Sequence, residues 1–314
     1  MMRPVPHHEQ GAALINVLVL VGVMAALSTG LFDRLRLARH LDEGRGQLDA
    51  ARGAALAAET MILVRLPQAR LPERPFRLDT PAGIATATLR PGGNCFNLNS
   101  VAIGPPGRTT TRPLGVEQLA RLLSLVGTPD TEAQRVAAAT ADWIDADQQP
   151  NPGGAEDPAY ARAATPYRTG GTLLAEVSEW RAVAGVTPAV YAAARPHLCA
   201  LPEAELSRPN ANSLLPGEAV VLAAIIGVPI ATARDAIAAR PAAGWASAAD
   251  FWAQPLLAGR QPAADVLRQI TLKDQWVAFS LASSSAGLPL ETTGLIDAAR
   301  APARLAVRRW GPEE

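Results

Sequence analysis

"GAALINVLVLVGVMAAL", residues 11–27, is apolar except for one amide, Asn16. No charge falls between positions 12 and 31, about the 20 residues a helix needs to cross a bilayer core. A cleaved secretion signal has a shorter apolar core, a basic leader and a small-residue cleavage site after the core. Here the leader "MMRPVPHHEQG" holds one Arg, one Glu and two His, and its small residue, Gly11, precedes the core. More helix follows rather than loop. Through Leu31 and "FDRLRLARHLDEGRGQLDAARGAALAAETMILVRL", residues 32–66, the positions Leu31, Leu35, Leu37, Leu41, Leu48, Ala51, Ala55, Ala58 and Ile62 recur at helical spacing. Gly44 and Gly46 are expected to loosen it. The simplest reading is a membrane helix that continues as one long amphipathic stalk, with a plain single-pass anchor as the alternative.

The rest of the 314-residue chain has room for about two domains. An apolar fraction of 48% supports a real core. Lys+Arg and Asp+Glu both number 29, so nothing in the balance calls for a nucleic-acid partner. The two cysteines, Cys95 and Cys199, fit one disulfide in an exported chain, the alternative being two buried thiols.

After the stalk, prolines end the helix and "GIATATLR" (83–90) alternates as a strand does. From about 115 to 255 the segments "GVEQLARLLSLVG", "TEAQRVAAATADWIDAD", "AEVSEWRAVAG", "TPAVYAAARPHL" and "PGEAVVLAAIIG" read as helices. From about Asp274 the text returns to strands and turns in "QWVAFSLASSSAGL", "ETTGLIDAA" and "ARLAVRRWG". Separated strands need each other to bury a face, so an all-helical insert inside one small sheet explains this order better than three domains. The expected divisions are a leader at 1–11, transmembrane and stalk helix at 12–66, the first part of the sheet at 67–112, the helical insert at 113–270 and C-terminal strands at 271–314.

The chemically pointed stretch is "DWIDADQQPNPGGAEDPAY", residues 142–160. Asp142, Asp145, Asp147, Glu156 and Asp157 sit in a window without Lys or Arg, and such carboxylates repel one another unless a cation lies among them. All-oxygen donors in a flexible turn suit calcium, whereas zinc would call for His or Cys. A solvated acidic loop is the alternative from the residues alone. Glu176 and Glu179 stand one helical turn apart further on. The stretch after residue 205, with two short helices joined by "GVP" in "IIGVPIAT", looks like a helix-hairpin-helix module, but its turn has one Gly and no adjacent base, with Arg234 beyond it. No Ser/His/Asp or Cys/His constellation points to an enzyme.

The start resembles a type IV prepilin-like protein, and the ordered set "GAALINVLVLV", "CFNLNS", "DWIDADQQPNPGGAEDPAY", "PYRTGGTLLAEVSEWRAV", "LCALP", "PNANSLLPGEAVVLAAIIG" and "RLAVRRWG" is similar to the K-type minor pseudopilin family of the type II secretion system. That resemblance implies an α+β fold: a pilin-like long N-terminal helix on a small antiparallel sheet, with a large all-helical domain inserted between strands. It implies cleavage by a prepilin peptidase between Gly11 and Ala12 with methylation of the new N-terminus, and a single-pass inner-membrane protein whose C-terminal bulk is periplasmic. Its partners would be the I- and J-type minor pseudopilins, the major pseudopilin and possible cargo, at the tip of the pseudopilus, with no nucleic acid and no catalysis. Asn16 would then stand at mature position five, where the class usually carries Glu. The resemblance further implies calcium in the helical domain on Asp145, Asp147, Glu156 and Asp157, with Glu179 from a second segment. Arg34, Arg36 and Arg39 follow the span, and counted against the leader they favour the opposite orientation. The N-terminus-in orientation comes from the resemblance. The alternative function is a membrane-anchored DNA receptor using the hairpin segment.

Overall fold

The computed structural model describes residues 7–66, 71–72, 74–105, 107–285 and 288–311. Its first element, α1 (His7–Arg65), is one uninterrupted 59-residue helix. Gly11 and Ala12 lie on its backbone, while residues 1–6 of the expected leader fall outside the described residues. The expected loosening at Gly44 and Gly46 does not occur. Both lie in open space with helix on either side, so each costs only its propensity, too little to break a helix already propagating.

The helix changes character along its length. Side chains from Leu14 to Leu41 are exposed, whereas Ala51, Ala54, Ala55, Ala58, Ile62 and Leu66 are buried at three- and four-residue intervals. Alanines on that stripe let the axis approach a sheet closely. The sheet comprises β1 (Phe76–Thr80), β2 (Gly83–Pro91), β7 (Trp276–Ser285), β8 (Leu288–Asp297) and β9 (Arg304–Trp310), adjacent in that order and antiparallel throughout. Ala85, Ala87 and Leu89 alternate inward from β2 and join Val277, Phe279, Leu281 and Ile296 beneath the helix. Glu59, buried on the same stripe, accepts two hydrogen bonds from the Arg308 guanidinium, at 2.8 and 2.7 Å, which fixes α1 to the edge strand β9.

β2 and β7 are neighbours although 184 residues separate Pro91 from Trp276. Pro91 pairs with Val277, and the Gly92 amide donates to the Trp276 carbonyl at 2.8 Å. The helical block therefore takes the place of a hairpin loop between paired strands. It contains β3 (Phe96–Asn97), β4 (Ala102–Ile103), β5 (Thr110–Thr111), α2 (Pro113–Leu125), α3 (Asp130–Ile144), α4 (Asp157–Tyr160), α5 (Pro188–Ala194), β6 (Leu198–Cys199), α6 (Ala219–Ile226), α7 (Ile230–Ala238), α8 (Ala248–Trp252) and α9 (Ala264–Gln269). Short strands β3 to β5, inside the span read as the first part of the sheet, pair within the insert instead: β3 with β6, β4 with β5.

Three asparagines near the entrance organise the block. Asn99, fully buried, donates to the carbonyls of Leu174 and Leu201 and accepts from the Leu174 amide. Asn97 does the same for Glu203, Glu205 and Leu201. Asn94 accepts from the Asn210 amide. Each supplies a donor and an acceptor, which lets it stand in for a backbone partner where no regular element is available. Gly115 in α2 sits against the same stretch: a Cβ there would fall 2.1 Å from the Ser100 carbonyl oxygen. The apolar core runs from Phe96 and Leu98 through Leu119, Leu122 and Val136 to Trp180 and the fully apolar α6. α6 and α7 meet at 119°, and two arginines hold the turn between them, Arg121 donating to the Ala224 carbonyl and Arg260 to that of Gly227.

Cys95 and Cys199 form a disulfide across a sequence separation of 104 residues, beside the β3–β6 pairing. A link closing a loop of that size restricts the unfolded chain strongly. Replacing both cysteines by alanine is expected to lower the unfolding free energy of the region from Asp33 onward by about 3 kcal/mol, measured by urea titration. A loss below about 1 kcal/mol would show that the denatured chain is already restricted there.

Candidate metal centre

The acidic turn begins where α3 stops. Asp142 is in its last turn and Asp145 caps it in extended conformation, its amide still bonded to the Ala141 carbonyl. Asp147 follows in the loop, and Glu156 precedes α4. A helix end places Asp142 and Asp145 close together, and the Pro/Gly turn brings Glu156 back against them. Neighbouring strands set the register: Ala146 donates to the Thr109 carbonyl, and the Thr109 hydroxyl to that of Ile144. On the other side Trp143, Tyr160 and Tyr167 pack their rings 5.2 to 6.1 Å apart, and the Gly171 amide bonds the Trp143 carbonyl.

Carboxylate oxygens of Asp145, Asp147 and Glu156 lie within 4.8 Å of one another. Asp145 and Glu156 are each only 3% exposed and Asp142 is fully buried, while Asp147 reaches solvent. Ion pairs among the described residues reach none of these four. Some of their oxygens are served. Thr111 donates to Asp145 Oδ2, the Gln149 amide to Asp147 Oδ1, and the Asn151 amide and side chain to Asp142 Oδ1. Others are not: Asp142 Oδ2, Asp145 Oδ1 and both oxygens of Glu156 are buried without a hydrogen-bond partner. Burial, reinforced by the neighbouring carboxylates, pushes Asp145 up to about 6 and Glu156 up to about 7, and raises Asp142. A buried acceptor left unmade costs free energy, and several together mark a place built for something else. With only oxygen donors, and neither His nor Cys among them, the set fits a hard divalent cation and not zinc.

Asp145, Asp147 and Glu156 from the expected ligand set are thus brought together. Asp157 and Glu179 are engaged elsewhere. Asp157 Oδ1 accepts from the amide and hydroxyl of Thr169. Glu179 Oε1 accepts from the amides of Ala175 and Glu176, capping the 3-10 turn Val177–Ala182. Thr111 and Asn151 are participants that spacing does not single out, and Asp142, one of the five carboxylates of the acidic window, joins the site although the implied ligand set lacks it. Asp142 had a signal in the sequence, three residues before Asp145 at one helix end. Gly154 had none: a Cβ there would lie 1.9 Å from Asp142 Oδ2, so this position must be glycine for the turn to close over the carboxylates.

Two family models, both described as type II secretion system (T2SS), protein K, match residues 94–203 and 209–273, together more than half of the chain. The type II secretion system protein K of Klebsiella pneumoniae is 33% identical over 267 residues, 80% of this chain and 81% of that one. Those of Pectobacterium carotovorum subsp. carotovorum and Pseudomonas aeruginosa are 31% and 30% identical, over 76% and 77% of this chain. A chain in the crystal structure of the GspK-GspI-GspJ complex from the enterotoxigenic Escherichia coli type 2 secretion system superposes with a TM-score of 0.71 at 26% identity, covering 84% of this chain and 97% of that one.

The raised carboxyls set a pH dependence. Their folded pKa values exceed unfolded values of about 4, so without metal the folded state binds more protons than the unfolded one across roughly pH 4–7. Stability in chelator is therefore fullest at the acidic end of that window and falls as pH rises through it. Melts of the region from Asp33 onward, in chelator, should give a lower Tm at pH 8 than at pH 5. Glu156→Gln should recover on the order of 2 kcal/mol at pH 8; a pH profile it leaves unchanged would assign the effect to other groups.

Proposed function

This chain belongs to the protein K family of the type II secretion system, and from that premise we propose that, as a minor pseudopilin, it caps the tip of the pseudopilus and helps to start its assembly and protein export. It is a structural component of the secretion machinery, not an enzyme. The observation that carries the tip reading is where the insert leaves the sheet. The β1–β2 turn lies against α1 at Gly53 and Ala54, and β2 runs from there about 26 Å along the helix toward its C-terminal end. The insert thus departs at the end remote from the apolar run. Bulk at that end leaves the apolar helix free to enter a bundle while obstructing a further subunit beyond it.

The I- and J-type minor pseudopilins are the partners we assign, supported by the likeness to a chain of the GspK-GspI-GspJ complex; the major pseudopilin follows beneath them. α1 is the one candidate membrane span among the described residues, with a mean hydropathy of 2.2 in its most apolar window and none of that window buried. We place it in the inner membrane with the remainder in the periplasm. A prepilin peptidase cuts between Gly11 and Ala12, and Asn16 then occupies mature position five as an uncharged amide, suited to a subunit with none ahead of it to supply a pairing charge. Calcium, on this reading, is held by Asp145, Asp147 and Glu156, its charge neutralising the acidic turn and tying the loop to the end of α3. Asp157 and Glu179 support the site from outside, one holding Thr169, the other the turn at Glu176.

Three measurements test this. The soluble region, mixed with soluble I- and J-type partners, should elute as one complex in gel filtration; elution alone sinks the tip assignment. Millimolar calcium should raise its Tm at pH 8 over the chelated sample, and Asp145→Asn should abolish most of that rise; coincident melts refute the cation. Mass spectrometry of the membrane form should show an N-terminal methylated Ala12, and an intact Met1 would leave only a plain anchor.

A further inference from the structure

The basic residues just beyond the apolar run have no explanation in the fold, the acidic turn or the tip reading. Arg34, Arg36 and Arg39 are exposed and take part in none of the hydrogen bonds or ion pairs formed by the described residues. Among the described residues the contact nearest to them is that of His40 Nδ1 with the Glu43 carboxylate, at 3.8 Å. By topology alone these arginines stand on the side where basic residues are not expected.

Their placement specifies what would meet them. Residues 14–32 form about 19 positions of exposed helix without a charge, rising about 27 Å, close to the thickness of a hydrocarbon core. Arg34 begins within one turn of that edge, and the three arginines extend over about 7.5 Å of rise. This corresponds to the headgroup layer, about 5–7 Å deep on each side of a bilayer. At about 100° per residue, Arg36 and Arg39 project about 160° and 140° away from Arg34, so the charges lie on opposite sides of the helix. A neighbouring helix covers one side only. A ring of lipid headgroups covers all of them. The acidic residues are offset: Asp33 lies at the hydrocarbon edge and Asp42 and Glu43 lie past the last of the three arginines, which leaves residues 33–39 with net charge +2.

We propose that Arg34, Arg36 and Arg39 form a collar that binds the phosphate groups of anionic phospholipids in the leaflet facing the globular domain, and so fixes the depth at which α1 rests before it joins an assembly. Guanidinium groups suit this task because each presents a planar fork of donors to phosphate oxygens. The proposal rests on reading residues 14–32 as a span, and on nothing else in the assigned function.

The full-length chain in nanodiscs of equal phosphatidylglycerol and phosphatidylcholine tests it, with native mass spectrometry counting the lipids that stay bound. Wild type should retain phosphatidylglycerol in preference. Arg34→Gln/Arg36→Gln/Arg39→Gln should lower that preference by at least about fivefold, the contribution of a single arginine near an anionic surface, and 0.5 M salt should do the same to wild type. An unchanged ratio overturns the proposal. So does a variant that keeps its lipid preference but no longer binds the I- and J-type subunits, because the arginines would then serve a protein contact. An alkaline wash separates the two levels: a chain released from membranes removes the span and the collar with it, whereas a retained chain with no preference removes the collar alone.

Discussion

The pairing of β2 with β7 is the constraint on which the rest depends. Neither strand has a stable face without the other, and α1 has no surface to bury its alanine stripe on until both are present. Yet the two are separated by the whole helical block, so closing the sheet by chain diffusion alone would carry the entropy of a very long loop. The block relieves this by folding around its own core, with its ends drawn together through Asn210, which bonds Asn94 on one side and Asp274 on the other, and by Gly92 against Trp276. The insert thus behaves as a preformed turn, and the sheet sees a hairpin.

The same logic explains why the asparagines at the entrance are buried. A segment that must join β3, a 3-10 turn and two returning loops cannot satisfy its neighbours by a regular ladder. Amide side chains offer donor and acceptor together, so Asn97 and Asn99 complete carbonyls and amides that would otherwise be lost in the core. Across the molecule, Glu59 and Arg308 use charge to the same end. Their double hydrogen bond fixes the rotation of α1 against the sheet, which the small and uniform alanine stripe specifies only weakly. A further bridge, Arg309 to Glu176 at 2.6 Å, links the last strand to the insert, so one strand registers both the stalk and the helical domain.

Much of this was legible in residue patterns because it depends on periodicity. The helix of α1, the strand at 83–90, the change back to strands near 274 and the insertion topology each follow from where apolar side chains recur. What was not legible depends on direction. Carboxylates near one another in sequence do not reveal which way they face: the resemblance groups Asp157 and Glu179 with Asp145, Asp147 and Glu156, whereas in the fold Asp157 Oδ1 serves Thr169 and Glu179 Oε1 a helical cap. Asp142 was passed over as a ligand for the converse reason: nothing in spacing shows that a glycine turn will close over it. The glycines at 44 and 46 misled in another way, since local propensity is read residue by residue while a 59-residue helix is held by its whole length.

An acidic turn of this kind also sets a condition on assembly. Each buried carboxylate is tolerable either protonated or facing a cation, and both states depend on the medium rather than on the chain. α1 is likewise incomplete alone, because its apolar half has no cover within the subunit. The protein therefore holds two unfinished surfaces, one polar and internal in the helical insert, one apolar and external on the N-terminal half of α1. Ordering the first before the second is physically sensible. A loop that is already pinned loses no entropy when the subunit meets its neighbours, so the free energy of contact is not spent on folding. An ion bound at the acidic turn, as we propose, and packing of α1 into a bundle would then be separate steps, coupled only through the rigidity of what lies between them.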